Sequence, residues 1–211
     1  VGLVGAGRTE TVQALFGVTK IESGEVFLNG KKVEIKKPID AIKNGIAYVT
    51  EDRKGEGLVL PMSIAHNTTL PSMQELSNKV FIKSLEEKTK TEKILSELKV
   101  KMASSKLAVK NLSGGNQQKV VLAKWMMKDP DVIIFDEPTR GIDVGAKAEI
   151  YKLMNEFVAK GKAIIMISSE MPEAMGMSDR ILVISNHKLS GEFNRDEFSQ
   201  DSIMTMAMRY M

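Results

Sequence analysis

The chain has 211 residues, 43% hydrophobic and 27% charged, with 30 Lys and Arg against 27 Asp and Glu for a formal net charge of +3. Its length suits one domain with an inserted subdomain, burying roughly 70% of the unfolded surface, and its composition excludes disordered and collagenous classes. Interspersed charges argue against polyanion binding by bulk charge, and the lack of cysteine excludes disulfide frameworks, thiolate zinc sites and thiol nucleophiles.

Val1 to Val4 reads as the end of a buried strand, followed by a glycine turn and a helix over Thr9 to Phe16. Glu25 to Ile35 alternates around Asn29-Gly30, the dipeptide of a type I′ turn, which predicts a hairpin. Pro38 to Lys43 suits a short helix ending at Asn44-Gly45, and Ile46 to Val49 a buried strand that stops at the charged segment Glu51 to Gly57. From Ser63 to Lys128 strand signals vanish and Ile94, Leu95, Leu98 and Met102 recur at helical spacing, so this stretch is expected to be helical. After Pro130, strands over Val132 to Phe135, Ala163 to Ile167 and Ile181 to Ile184 alternate with helices over Ala146 to Lys160 and Pro172 to Met177. That alternation predicts a parallel sheet flanked by helices. Ser199 to Met211 reads as a closing helix, with Trp125 and the C-terminal methionines as core. The longest apolar runs, Val132 to Phe135 and Ala163 to Ile167, are far short of the roughly 18 to 20 residues that cross a bilayer.

Three segments carry chemistry. Gly2 to Thr9 has the spacing of a phosphate-binding loop, with Arg8 in the lysine position. Its glycines let main-chain N–H groups converge on phosphate oxygens, the helix behind presents its positive end, and Thr9 is placed to ligate Mg²⁺. Arg8 keeps the charge, but a planar guanidinium need not reach the phosphates as an ammonium does. The run Asp131 to Thr139 is an apolar strand ending in Asp136 and Glu137, two adjacent carboxylates that could serve metal binding and activation of water. Leu112 to Lys119 reads L-S-G-G-N-Q-Q-K, with Ser113 as the expected N-cap of a helix and Gly114 and Gly115 opening its first N–H groups to a second anion.

The L-S-G-G-x-x-Q segment, lying between a phosphate loop and a D-E-P-T strand, resembles the signature of ABC-type ATPases. The segments 2–10, 51–58, 112–119, 135–147 and 167–173 resemble the C-terminal cassette of bacterial sugar-importer ATPases of the ribose, galactose and xylose type. This resemblance implies an α/β P-loop NTPase fold: a mostly parallel sheet core, a small antiparallel hairpin region and an inserted helical subdomain. The expected division is 1–61 with 129–211 as the ATP-binding core and 62–128 as the signature subdomain. It also implies that a hairpin, an adenine-stacking aromatic and most of the first strand precede residue 1, where Val stands in place of Met.

Carried onto this chain, the family pattern puts Gly2, Gly5, Ala6, Gly7, Arg8, Thr9 and Glu10 around the nucleotide. Thr9, Asp136 and Glu51 fall at the Mg²⁺ ion, Glu137 in the general-base position, and Ser169 where a γ-phosphate-contacting histidine is expected. Ser113, Gly114, Gly115, Asn116 and Gln117 would face ATP held by the N-terminal cassette of the same polypeptide, with Asp143 at the cassette interface. Arg8, Glu51 and Ser169 depart from the general ABC pattern and imply a degenerate site, whose turnover would fall to the partner's site completed by this signature. Neither histidine substitutes for the missing one: His66 is expected on a helix surface and His187 in a turn between strands. The resemblance further implies transmembrane permease subunits as partners, a periplasmic or extracellular sugar-binding protein acting indirectly, no nucleic acid, and a peripheral position on the cytoplasmic face of the bacterial inner membrane. Two other readings are a translation-factor-like soluble ABC ATPase, disfavoured by the lack of a basic stripe, and a regulatory nucleotide-binding module without hydrolysis, disfavoured by the intact signature.

Overall fold

The computed structural model describes residues 1–78 and 81–211. Lys79 and Val80, inside the stretch expected to be helical, lie outside the described residues. In chain order the elements are α1 (Arg8–Phe16), β1 (Val26–Leu28), β2 (Lys31–Val33), α2 (Pro38–Lys43), β3 (Ile46–Val49), α3 (Ile64–Thr69), α4 (Ser84–Glu97), α5 (Gly114–Met126), β4 (Val132–Asp136), α6 (Val144–Val158), β5 (Ala163–Ile167), α7 (Met171–Met177), β6 (Arg180–Ser185), β7 (Lys188–Asn194) and α8 (Gln200–Ala207). The chain forms two compact units, one of residues 1–46, 134–137 and 164–211, the other of 47–133 and 138–163.

Local chemistry accounts for most boundaries. β1 and β2 pair antiparallel with Leu28 opposite Lys31, and the loop between them has Asn29 at φ 51° and Gly30 at φ 74°, as a type I′ turn requires. Pro38 opens α2, where a missing N–H costs nothing, and the Asp40 carboxylate accepts from the N–H groups of Lys36 and Lys37. The Asp143 carboxylate accepts from the N–H of Ala146 at 3.0 Å, so α6 starts at Val144, two residues before the expected boundary.

A parallel three-stranded sheet has the order β3-β4-β5. β6 does not join it as the alternating pattern predicts. It pairs antiparallel with β7, a strand without expectation from the sequence, across a turn in which Asn186 (φ 45°) and His187 (φ 60°) both adopt positive φ. Glycine, the usual sign of that backbone, is absent from both positions. Val1 to Val4 is likewise not a strand, although Val1 bonds to β6, donating to the Leu182 carbonyl and accepting from the Ile184 N–H, both at 2.8 Å.

In the first unit Ile181 and Val183 of β6 pack with Ile203 and Ala207 of α8, and Met171, Met175 and Met206 fill around them. The closing methionines divide, since Met206 joins this core while Met208 and Met211 are exposed. In the second unit α5 is the buried element, covered from Gln117 through Trp125.

Candidate functional site

The phosphate-type loop runs into α1 through Gly7, whose φ of 98° is left-handed. No side chain caps this helix, so its N-terminus presents main-chain N–H groups of the kind that bind anions. The glycines serve different needs. Gly5 has a φ of 77° and open space where a Cβ would stand, whereas a Cβ on Gly2 would lie 2.3 Å from the Ile184 carbonyl oxygen, so β6 is what excludes a side chain there. A Cβ on Gly7 would lie 2.5 Å from Nδ1 of His187, and the His187 N–H donates to the Ala6 carbonyl at 2.8 Å. His187 does occupy the expected turn, but it also buttresses the loop, a contact between residues 180 positions apart that no local pattern could show. His66 lies exposed on α3 as expected. Glu10 is exposed in the first turn of α1, where a carboxylate complements the helix dipole.

The strand β4 delivers the two carboxylates in different directions. Asp136 is fully buried and its Oδ1 accepts from the Thr9 hydroxyl at 3.3 Å. The next residue, Glu137, has a φ of 48° and its N–H donates to the Ile167 carbonyl at the end of β5, a strained backbone of the kind that gathers at functional sites. This turn aims the Glu137 side chain at Arg8 and Ser169. The Arg8 guanidinium is 3.3 Å from Glu137 Oε1, with the two side chains only 11% and 10% exposed, and it also donates to the Ser168 carbonyl at 3.0 Å. The Ser169 hydroxyl donates to Glu137 Oε2 at 3.0 Å. Both oxygens of the carboxylate are therefore held, each by one of the substituted residues. Ser168 is fixed in turn by its hydroxyl, which donates to Glu173 and accepts from the Glu170 N–H.

In the second unit the signature begins at Ser113, which stands at the N-cap of α5 without capping it. Its hydroxyl accepts instead from the Asn116 side-chain amide at 2.9 Å, and Asn116 Oδ1 accepts from the Lys101 N–H at 2.7 Å. Gly114 and Gly115 each admit a neighbour: a Cβ on the first would lie 3.0 Å from an Arg53 guanidinium nitrogen, and on the second 2.8 Å from the Ala146 methyl of α6. Gln117, expected at the partner's γ-phosphate, turns its side chain inward in this chain. It is 4% exposed, and its amide nitrogen donates to the carbonyls of Val109 (3.4 Å) and Leu112 (3.2 Å), while its Oε1 is buried without a hydrogen-bond partner. Lys119 is also buried, donating to the Lys99 carbonyl and pairing with Glu149, whose carboxyl is held below its usual range chiefly by that hydrogen bond.

Glu51, expected at the metal, is ion-paired with Arg140. Asp143 is exposed and its carboxylate is committed to the N-cap of α6. Among the described residues no group of three or more His, Cys, Asp and Glu is gathered as a metal site, and no helix is long and apolar enough to cross a membrane. Sequence reading passed over Arg53, whose only local sign was the charged run from Glu51 to Glu56, and Arg140, which follows the D-E-P-T strand.

The model of the ABC transporter family matches residues 1–140. The chain belongs to that family. It is 56% identical over 206 residues to the ribose import ATP-binding protein RbsA of Oceanobacillus iheyensis, and 56% identical over 207 residues to the xylose import ATP-binding protein XylG of Thermoanaerobacter pseudethanolicus. These matches cover 98% of this chain but 42% and 41% of the relatives, so it spans about two fifths of their length. Among solved structures, a nucleotide-free ATP-binding cassette from an ABC transporter superposes with a TM-score of 0.80 at 21% identity, covering 98% of this chain and 85% of the other. The ATP-binding cassette MJ0796, in a dimeric post-hydrolysis state bound to ADP and Pi, gives 0.77 at 19% identity, with 93% and 84% covered. These likenesses establish the ABC-cassette, P-loop NTPase fold for this chain.

Proposed function

We propose that this chain is an ATP-binding cassette of a carbohydrate importer whose main catalytic contribution is its signature, offered to ATP held by a partner cassette. In this reading 1–61 with 129–211 form the nucleotide-binding core and 62–128 the signature subdomain. Ser113, Gly114, Gly115 and Asn116 face the partner's γ-phosphate, and Asp143 stands at the cassette interface. The names of the ribose and xylose import relatives support the substrate class, and the partner is the N-terminal cassette of the same polypeptide. Work is delivered to transmembrane permease subunits on the cytoplasmic face of the bacterial inner membrane, with a periplasmic or extracellular sugar-binding protein upstream.

The observation that carries this reading is the occupied Glu137 carboxylate. A general base must have its attacking water within hydrogen-bond reach and correctly aimed, and partners already on the carboxylate compete with that water. Here Oε1 is ion-paired with Arg8 and Oε2 accepts from Ser169, while a hydroxyl at position 169 supplies neither the charge nor the proton mobility of imidazole. The loop retains what binding needs: the uncapped N-terminus of α1 for phosphates, and Thr9 with Asp136, whose oxygens converge, to hold Mg²⁺. That ion would neutralise phosphate charge. This chain's own site thus binds nucleotide and turns it over slowly or not at all.

The test is steady-state ATP turnover of the complete two-cassette protein with its permease. Ser113→Arg is expected to abolish activity and Glu137→Gln to leave most of it. Equal loss in both variants would refute the degenerate site, and full activity in Ser113→Arg would refute the role of the signature.

A further inference from the structure

The charged segment 51–57 approaches the start of the signature helix at Arg53 and is bonded to its last turn at Gly57. At the first end, Arg53 Nη1 donates to the Arg140 carbonyl at 3.1 Å, while Nη2 lies 3.0 Å from where a Cβ on Gly114 would stand and 4.0 Å from that of Gly141. Glu51 pairs with the Arg140 side chain, so residues 51 and 53 grip one turn from two sides. At the other end, the Lys124 ammonium, in the last turn of α5, donates to the Gly57 carbonyl at 2.7 Å. Between them Asp52 Oδ1 accepts from the N–H groups of Lys54 and Gly55, both at 3.0 Å, which closes the segment into a tight turn.

Helix stability does not explain the place of Arg53. A cation beside the N-terminus of a helix opposes its dipole, and the stabilising choice there is a carboxylate. Its Nε is buried without a hydrogen-bond partner, a further cost. What a planar guanidinium supplies is geometry, since one edge holds the Arg140–Gly141 turn while the other fills the space that glycine leaves at the first residue of α5.

We infer that Arg53 is a positioning residue of the signature, fixing the start of α5 against the Arg140–Gly141 turn so that the signature is aimed before a partner's ATP arrives. The inference rests on the signature completing the partner's site. A lysine cannot replace Arg53, because an ammonium keeps the charge but cannot hold the carbonyl and fill the Gly114 contact together. Gly114 has to be glycine for the same reason.

The experiment measures ATP turnover against ATP concentration in the two-cassette protein with its permease, for Arg53→Met, Arg53→Lys, Gly114→Ala and Arg53→Met with Gly114→Ala, with Ser113→Arg as control. Both Arg53 variants are expected to lower kcat about tenfold or more, below the roughly hundredfold that a 1 Å misplacement costs, with KM for ATP within about twofold. Gly114→Ala, in the signature itself, is expected to lower kcat in both backgrounds but by a smaller factor beside Arg53→Met, whose shorter side chain removes the clash, and an equal factor in both overturns the contact. If Arg53→Met does not fold, Arg53→Lys carries the test. A kcat within about twofold of wild type in Arg53→Lys overturns the inference and leaves charge as the operative property, while an active Arg53→Met with an inactive Ser113→Arg overturns it and leaves the role of the signature standing. An active Ser113→Arg overturns both.

Discussion

Separating Arg8 from Glu137 is expected to reveal a coupling of about 2 kcal/mol between them, intermediate between exposed and buried ion pairs. The two groups are 3.3 Å apart with about a tenth of each side chain in water. At an effective dielectric of about 20 their gross attraction is roughly 5 kcal/mol, most of which offsets the loss of hydration. Exposed pairs measure about 0.2–1 kcal/mol, and breaking a buried pair costs about 3–5 kcal/mol. Each group also keeps one partner when the other is removed, Arg8 the Ser168 carbonyl and Glu137 the Ser169 hydroxyl, which lowers the cost of either single change. The assay is a double-mutant cycle by urea unfolding of this chain with Arg8→Met, Glu137→Gln and both, at low and at high salt. A coupling below about 0.5 kcal/mol, or one that disappears in salt, would place this pair among solvated surface contacts and remove the argument that Glu137 is held away from water.

Two further predictions concern the supports of each site. Burial lowers the Lys124 pKa from 10.5 to about 8, so between about pH 8 and 10.5 the unfolded chain binds more protons than the folded one and stability rises with pH across that window. Urea midpoints at pH 7.5 and 9.5 should therefore move upward in the native chain, and Lys124→Met should flatten that rise; an unchanged slope in the variant would show that this ammonium is not the source. Gly7→Ala is expected to destabilise by about 2 kcal/mol or more, from a left-handed φ of 98° and a Cβ 2.5 Å from the His187 ring. Adding His187→Ala should recover the steric part and leave about 1–2 kcal/mol from the backbone. Full recovery in the double variant would show that φ carries no cost there.

Local chemistry determined a large part of this protein. Asn29-Gly30 specifies its hairpin turn, Pro38 and Asp40 start α2, and the run Val132 to Asp136 makes a buried strand because nothing polar interrupts it. The phosphate loop, the D-E-P-T strand and the signature were legible as motifs, because each packs its chemistry into a few consecutive residues. Hidden from sequence were two local features and, above all, the contacts that join distant residues. β7 lacked a glycine at either left-handed turn position, and Gln117 looked like part of a polar motif until burial turned its amide toward two carbonyls. The sequence marked Arg8 and Ser169 as two separate departures from the family pattern; only the tertiary structure shows that both close on Glu137. The reason is physical: turn and capping preferences act over a few bonds, whereas the partners of a side chain that leaves its own element are set by packing between segments more than a hundred residues apart.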